Sequence, residues 1–231
     1  MVSLRVLDRR QSESSAQAID LALASEAPAL RAEARDILVD RAPSRALLEI
    51  DAVASDAPLI ERQRALTALG RLPGTEAESR LLGTIQTIRS GSHPTDTLLE
   101  ALEAAENLDT PALRQAVMQY NEGFDPDDPL APYVFATQGG DATAGVAVFN
   151  GNGDCKRCHA VDGEGGETGP DLSAMGARMG STEILESLIV PNAKITAGYA
   201  AEDGSSPMPA VAAELPPREL RDLVAYLASL N

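Results

Sequence analysis

The sequence is poor in several residue types that usually carry function. Its 231 positions hold no tryptophan, two cysteines, two histidines and 3% aromatics. The only lysines are Lys156 and Lys194; the other basic residues are arginines. Two cysteines cannot build a disulfide-rich scaffold. No apolar run approaches the roughly 18 residues that read as a bilayer span, so no membrane span is expected. The formal net charge of −16 excludes nucleic acid as a non-specific partner, because that binding rests on Lys and Arg neutralising phosphates. It argues equally against an anionic membrane surface. Residues 1–10 lack an apolar core and a cleavage pattern, so they are not a secretory signal.

Hydrophobic residues reach 44%, enough to bury a core, and few of them are the aromatic residues that strands favour. The expectation is an all-α chain. Leu30, Ala34, Ile37 and Leu38 follow the spacing of one helix face. Thr75 and Glu78 have the spacing of a capping box. Thr110-Pro111 supplies a cap and a proline at the first helical position. Further helices are expected near 14–25, 44–54, 58–70 and 96–107.

Part of this half repeats. Ala22-Leu23-Ala24-Ser25-Glu26-Ala27-Pro28 is echoed by Ala52-Val53-Ala54-Ser55-Asp56-Ala57-Pro58, 30 residues later. Arg31 and Ala34 are echoed by Arg62 and Ala65. A helix pair recurring at this period describes a helical solenoid. A third pair, near 75–107, matches only in hydrophobic pattern. The segment resembles HEAT-like repeats, with an irregular helical bundle as the alternative. The domains expected are a HEAT-like α-solenoid over 1–120, a Pro/Asp-rich linker over 121–140 and a small domain over 141–231. About 90 residues is a size that gains from a cofactor or staple.

Both cysteines lie in Cys155-Lys156-Arg157-Cys158-His159, the attachment sequence for c-type haem. Two thiols three residues apart on a helical turn can each form a thioether to one vinyl group. The adjacent histidine then sits under the iron. Two other readings stay open at this point. A redox dithiol would want a thioredoxin-like βαβ context, which is not evident. A zinc site would need further ligands, and His93 is the only other histidine. His93 itself, beside Ser92 and Pro94, reads as an exposed residue flanking a helix.

Gly169-Pro170-Asp171-Leu172 follows, and a late Met208 sits between Pro207 and Pro209. This order resembles the small class I c-type cytochromes. The resemblance implies one haem c, covalently attached through Cys155 and Cys158. It implies iron ligation by His159 and Met208, a Pro170 carbonyl that orients His159, and a Leu172 that packs on the ring. Met175 and Met179 are the alternative sulfur ligands, read here as packing residues. The resemblance also implies a crossing of the first and last helices of the domain, with Gly145, Phe149, Leu223 and Tyr226 at the contact. A middle helix is expected near 182–189, ending before Pro191.

A closer likeness runs through Gly163-Glu164-Gly165-Gly166, then Glu186 to Ile195 and Gly198-Tyr199. It is similar to the PVC-type haem-binding CxxCH domain. Asp127 to Tyr133 resembles the region that precedes that domain. Many members of that family insert a β-rich segment after the Gly-Tyr pair; here Met208 follows Tyr199 within nine positions, so the domain is minimal.

The function implied is one-electron transfer, not an enzymatic turnover, to or from a redox partner protein or a fused dehydrogenase. Two rival functions remain: a gas-sensing or peroxidase-like site with a displaced Met208, and an interaction module whose haem is structural. The resembled families attach haem outside the cytoplasmic membrane. A periplasmic or extracytoplasmic location is therefore expected, with residue 1 an internal boundary and an export signal upstream.

Overall fold

The computed structural model describes residues 13–211 and 214–231. It is all-α apart from one short hairpin among the described residues. The chain divides into two compact units, one ending at Gly123 and the other beginning at Phe124.

The first unit contains helices α1 (Glu13–Leu23), α2 (Pro28–Arg41), α3 (Pro43–Asp51), α4 (Leu59–Leu69), α5 (Thr75–Arg89), α6 (Leu98–Leu108) and α7 (Pro111–Asn121). Proline opens α2, α3 and α7, where its missing N–H leaves no helical bond unmade. Thr110 caps α7, its hydroxyl accepting from the Leu113 amide at 3.2 Å. The capping box expected at Thr75 and Glu78 is not formed. Thr75 is already the first helical residue, after Gly74. The Glu78 carboxylate instead accepts from the Thr110 hydroxyl at 2.8 Å.

Helices α2, α4 and α6 pack in sequence, and α5 pairs with α7. Their shared core is rich in alanine: Ala34, Ala46, Ala65, Ala68, Ala77, Ala104 and Ala105 lie among Ile37, Leu38, Leu81, Ile85 and Leu113. Small side chains let helix backbones approach closely. The segment before α6 corrects one expectation. His93 is half-buried rather than exposed, and its Nε2 lies 3.1 Å from the Thr97 hydroxyl. Burial pushes its pKa below the ordinary value of 6.5.

The Arg echo of the sequence has a structural counterpart. Arg31 bonds back to the Ser25 carbonyl and forward to Glu61 on α4. Arg62 bonds back to the Ala57 carbonyl and forward to Asp96, before α6. Each arginine ties the turn preceding its own helix to the next stretch of the row, α4 for Arg31 and the segment leading into α6 for Arg62. Further ties of similar sequence separation run from Arg64 to Asp36, Arg71 to Asp40 and Arg80 to Asp51.

The second unit contains a 3-10 helix (Ala131–Thr137), α8 (Ala142–Asn150), a 3-10 turn (Cys155–Arg157), a hairpin of β1 (Ala160–Val161) and β2 (Glu164–Gly165), then α9 (Met175–Arg178), α10 (Ser181–Ile189) and α11 (Pro217–Ser229). The strands pair antiparallel, Ala160 opposite Gly165. Phe149, Ile184, Leu185, Leu188, Leu220, Leu223, Val224 and Leu227 form the core. Ala136 of the first 3-10 helix is buried there too.

The expected crossing of the first and last helices is present. Asp141 caps α8, accepting from the Thr143 amide at 2.8 Å, while its own amide donates to Asp222 on α11 at 2.8 Å. Gly145 is the point of closest approach: a Cβ there would stand 2.6 Å from the Tyr226 Cβ. Phe149 meets Tyr226 edge-on, with ring centroids 5.5 Å apart. Helix α10 spans 181–189 and stops before Pro191, which disfavours helix in the residue preceding it.

Candidate functional site

The Cys155–Arg157 turn follows α8 after four residues, 151–154. Asp154 enters it with φ 49, a left-handed conformation that Asp tolerates better than most residues. The turn closes through the Cys158 and His159 amides, both donating to the Cys155 carbonyl at 3.1 and 2.9 Å. This arrangement brings both cysteines and His159 into one compact turn.

The two cysteines are not joined as a disulfide. Cys155 packs against the core of the second unit. Burial pushes its thiol up to about 11. Reactive dithiols work the other way, through a lowered thiol pKa. The βαβ context of a redox dithiol is also missing, since the only strands among the described residues are β1 and β2. Among the described residues no group of three or more His, Cys, Asp or Glu side chains is placed to hold a metal ion. Neither the dithiol nor the zinc reading is supported.

His159 is held from two sides. Its Nδ1 lies 2.8 Å from the Pro170 carbonyl oxygen. A carbonyl only accepts, so Nδ1 carries the proton and donates. In the neutral ring Nε2 is then the nitrogen without a proton, with its lone pair available to a metal. The ring also lies against Gly169. A Cβ at that position would stand 2.6 Å from His159 Cε1 and 2.7 Å from Nδ1, so a side chain there would displace the imidazole. The Gly169 amide donates to the Cys158 carbonyl at 2.7 Å, and the Leu172 amide donates to the Ala160 carbonyl at 2.9 Å. These bonds dock the Gly-Pro loop on the cysteine turn.

Leu172 is buried in the core, as is Met175. Met208 and Met179 are partly buried and pack on the same core, whereas Met118, in the first unit, is 61% exposed. Met208 lies in an irregular segment between α10 and α11 that buries little of itself; Ile195, Tyr199, Ser205, Ser206, Met208 and Val211 are half-buried. Hydrogen bonds shape it instead. The Ser206 amide donates to Asn192 Oδ1 at 2.7 Å, and the Met208 amide donates to the Ser206 hydroxyl at 3.2 Å. The sequence offers no signal for these two bonds, because they join residues with no periodic relation.

This donor set suits a covalently attached haem. It offers two unpaired-sulfur anchors on one turn, an imidazole with its distal nitrogen free, and thioethers beside an apolar core.

Comparison with known proteins bears on this unit. Residues 142–231 match the family model for Cytochrome c. The match covers α8 through the end of the chain, including both cysteines, His159 and Met208. The cytochrome c family carries covalently attached haem c. No curated protein and no solved structure gives a match to the chain.

Proposed function

We propose, taking residues 142–231 as a cytochrome c domain with haem c as its cofactor, that this unit is a one-electron carrier closed to substrate at the iron. The single observation that carries the reading is the His159 Nδ1 bond to the Pro170 carbonyl at 2.8 Å, in the same turn as Cys155 and Cys158. The haem supplies a ferric/ferrous couple; the protein sets its access and potential.

In this reading Cys155 and Cys158 would hold the haem by thioethers, and His159 Nε2 and Met208 would ligate its iron. Pro170 would fix the imidazole plane. Leu172 packs against the ring. His/Met ligation raises the reduction potential. The crossing of α8 and α11 fixes the wall on which these groups stand.

The finer assignments follow. The domain is of the PVC type in minimal form. The first unit is a HEAT-like repeat, a reading supported by the equivalent ties of Arg31 and Arg62. Residues 121–140 lead from the one to the other, and their 3-10 helix (Ala131–Thr137) packs on the core of the second unit. The electron comes from an associated or fused dehydrogenase and goes to an acceptor outside the cytoplasm. The domain performs transfer rather than catalytic turnover.

The test is the ferric spectrum of the haem-loaded protein at neutral pH. A low-spin spectrum with an iron–sulfur charge-transfer band is expected. A high-spin spectrum overturns the reading in favour of an open, reactive iron.

A further inference from the structure

We infer that Asn192 and Ser206 form a clamp that holds Met208 in position, making both of them positioning residues for the thioether that would ligate iron. The inference rests on Met208 being the ligand, as proposed above.

The segment that carries Met208 has little apolar burial to fix it. Between Pro191 and Met208 no side chain is fully buried. Its shape therefore depends on hydrogen bonds, and these fall into two sets. One is local: the Ala201 amide donates to the Ser205 carbonyl at 2.8 Å, and Asp203 Oδ1 accepts from the Ser205 amide and hydroxyl at 3.0 and 2.6 Å. These bonds shape the tip and connect it to nothing else.

The other set connects the segment to the core. Helix α10 is anchored by Ile184, Leu185 and Leu188. Pro191 ends the helical path, and Asn192 follows at once. Its Oδ1 accepts from the Ser206 amide across 14 residues of chain. The Ser206 hydroxyl then accepts from the Met208 amide. The path runs from a helix anchored in the core, through one amide side chain and one hydroxyl, to the backbone of Met208. Pro207 and Pro209, flanking Met208, each fix one backbone angle and stiffen what the clamp holds.

The chemistry of each link is specific. A backbone N–H needs an acceptor, which Asn192 and Ser206 supply as oxygen atoms. Asn192 is exposed, so replacing it removes the bond without opening a cavity. Losing one such bond allows the methionine segment to swing away more often.

The experiment measures imidazole binding to the ferric, haem-loaded full chain, together with the iron–sulfur charge-transfer band. Imidazole must displace the thioether, so its association rate reports how often Met208 leaves. The Asn192→Ala and Ser206→Ala variants are each expected to bind imidazole about five-fold faster than wild type, the loss of one ordinary hydrogen bond, and to show a weaker band. The Asn192→Asp and Ser206→Thr variants keep the oxygen acceptor and are expected to restore the wild-type rate. A purely structural role would leave both readouts unchanged. A wild-type band with wild-type rates in both alanine variants overturns the clamp and leaves Met208 as the ligand. A wild-type spectrum without the band overturns the assignment of Met208 itself.

Discussion

Gly145 on α8 lies against the backbone of α11 at Asp222, so closely that a Cβ would stand 2.1 Å from the Asp222 carbonyl oxygen. Two effects compete when this glycine becomes alanine. Alanine is the better helix former by about 1 kcal/mol. Against that, the contact is with backbone, which cannot rotate aside, and overpacking costs about 1–3 kcal/mol. The steric effect is expected to win. Gly145→Ala should lower the urea midpoint of the second unit, and the larger Gly145→Val should lower it further. A midpoint that rises in the alanine variant would mean that the helices separate at no cost.

Acid should weaken the first unit through its arginine ties. The Glu61 side chain is only 3% exposed and is paired with Arg31 and Arg35. Those bonds, led by Arg31, hold its pKa below the ordinary 4.5. Arg62 does the same for Asp96, and Arg80 for Asp51, each below the ordinary 3.8. A carboxyl whose folded pKa is depressed stabilises the fold above its unfolded pKa and loses that contribution as pH falls through the folded one. His93, whose pKa burial lowers from 6.5, starts the loss as pH falls below that value, and the paired carboxyls steepen it below the ordinary carboxylate range. Asp222 opposes the trend in the second unit, because burial raises its pKa. Glu61→Ala strands two arginine side chains and should cost on the order of 3 kcal/mol at neutral pH. It should also flatten the acid limb. Chemical denaturation across pH measures both.

The contrast between the two units shows what sequence patterns carry. The cysteine turn, the Gly-Pro loop and the α8–α11 crossing were all legible. Thioether attachment and close helix approach demand fixed residue types at fixed spacings, and Gly145, Phe149 and Tyr226 meet where the pattern implies. The Arg31/Arg62 echo was legible as a repeat, but its meaning was not. Glu61 and Asp96, the partners, occupy different offsets from their arginines, so no sequence period links them. Thr75 and Glu78 mislead for a related reason. Glu78 has a cross-helix partner in Thr110, and a local spacing rule cannot see a tertiary hydrogen bond. Asn192 and Ser206 are invisible for the same reason. The half-burial of His93 depends on how the turn before α6 folds, not on its neighbours in sequence.

Charge should govern how the haem unit meets small redox partners. Residues 124–231 carry sixteen Asp and Glu against six Lys and Arg, an excess of ten negative charges. A field of this sign attracts cations and repels anions over roughly a Debye length, about 10 Å at 0.1 M salt. A cationic cobalt complex should therefore oxidise the ferrous protein faster as ionic strength falls, by about ten-fold between high and low salt. Ferricyanide, an anion, should show the opposite slope. Stopped-flow measurement with both oxidants separates charge steering from any difference in driving force. Parallel slopes would mean that the negative residues lie away from the electron-transfer surface.

Three methionines pack on the core of the second unit, and substitution should sort them. Met175 is 9% exposed and fills the core beside α11. Its replacement by alanine should cost about 2–5 kcal/mol as a cavity forms, while the ferric spectrum keeps its iron–sulfur band. Met179→Ala should do the same with a smaller loss, because Met179 is only half-buried. Met208→Ala should reverse the pattern. Met208 is only half-buried, so the loss of stability should be small. The band should vanish, and the reduction potential should fall with the loss of the thioether ligand. Denaturation and redox titration on the same three proteins give two independent orderings. If the band survives in all three variants, none of them is a ligand and all three serve packing; if it vanishes in Met175→Ala or Met179→Ala instead, that methionine is the ligand. Opposite rankings single out Met208, since a thioether bonded to iron is the one whose removal changes the electronics more than the fold.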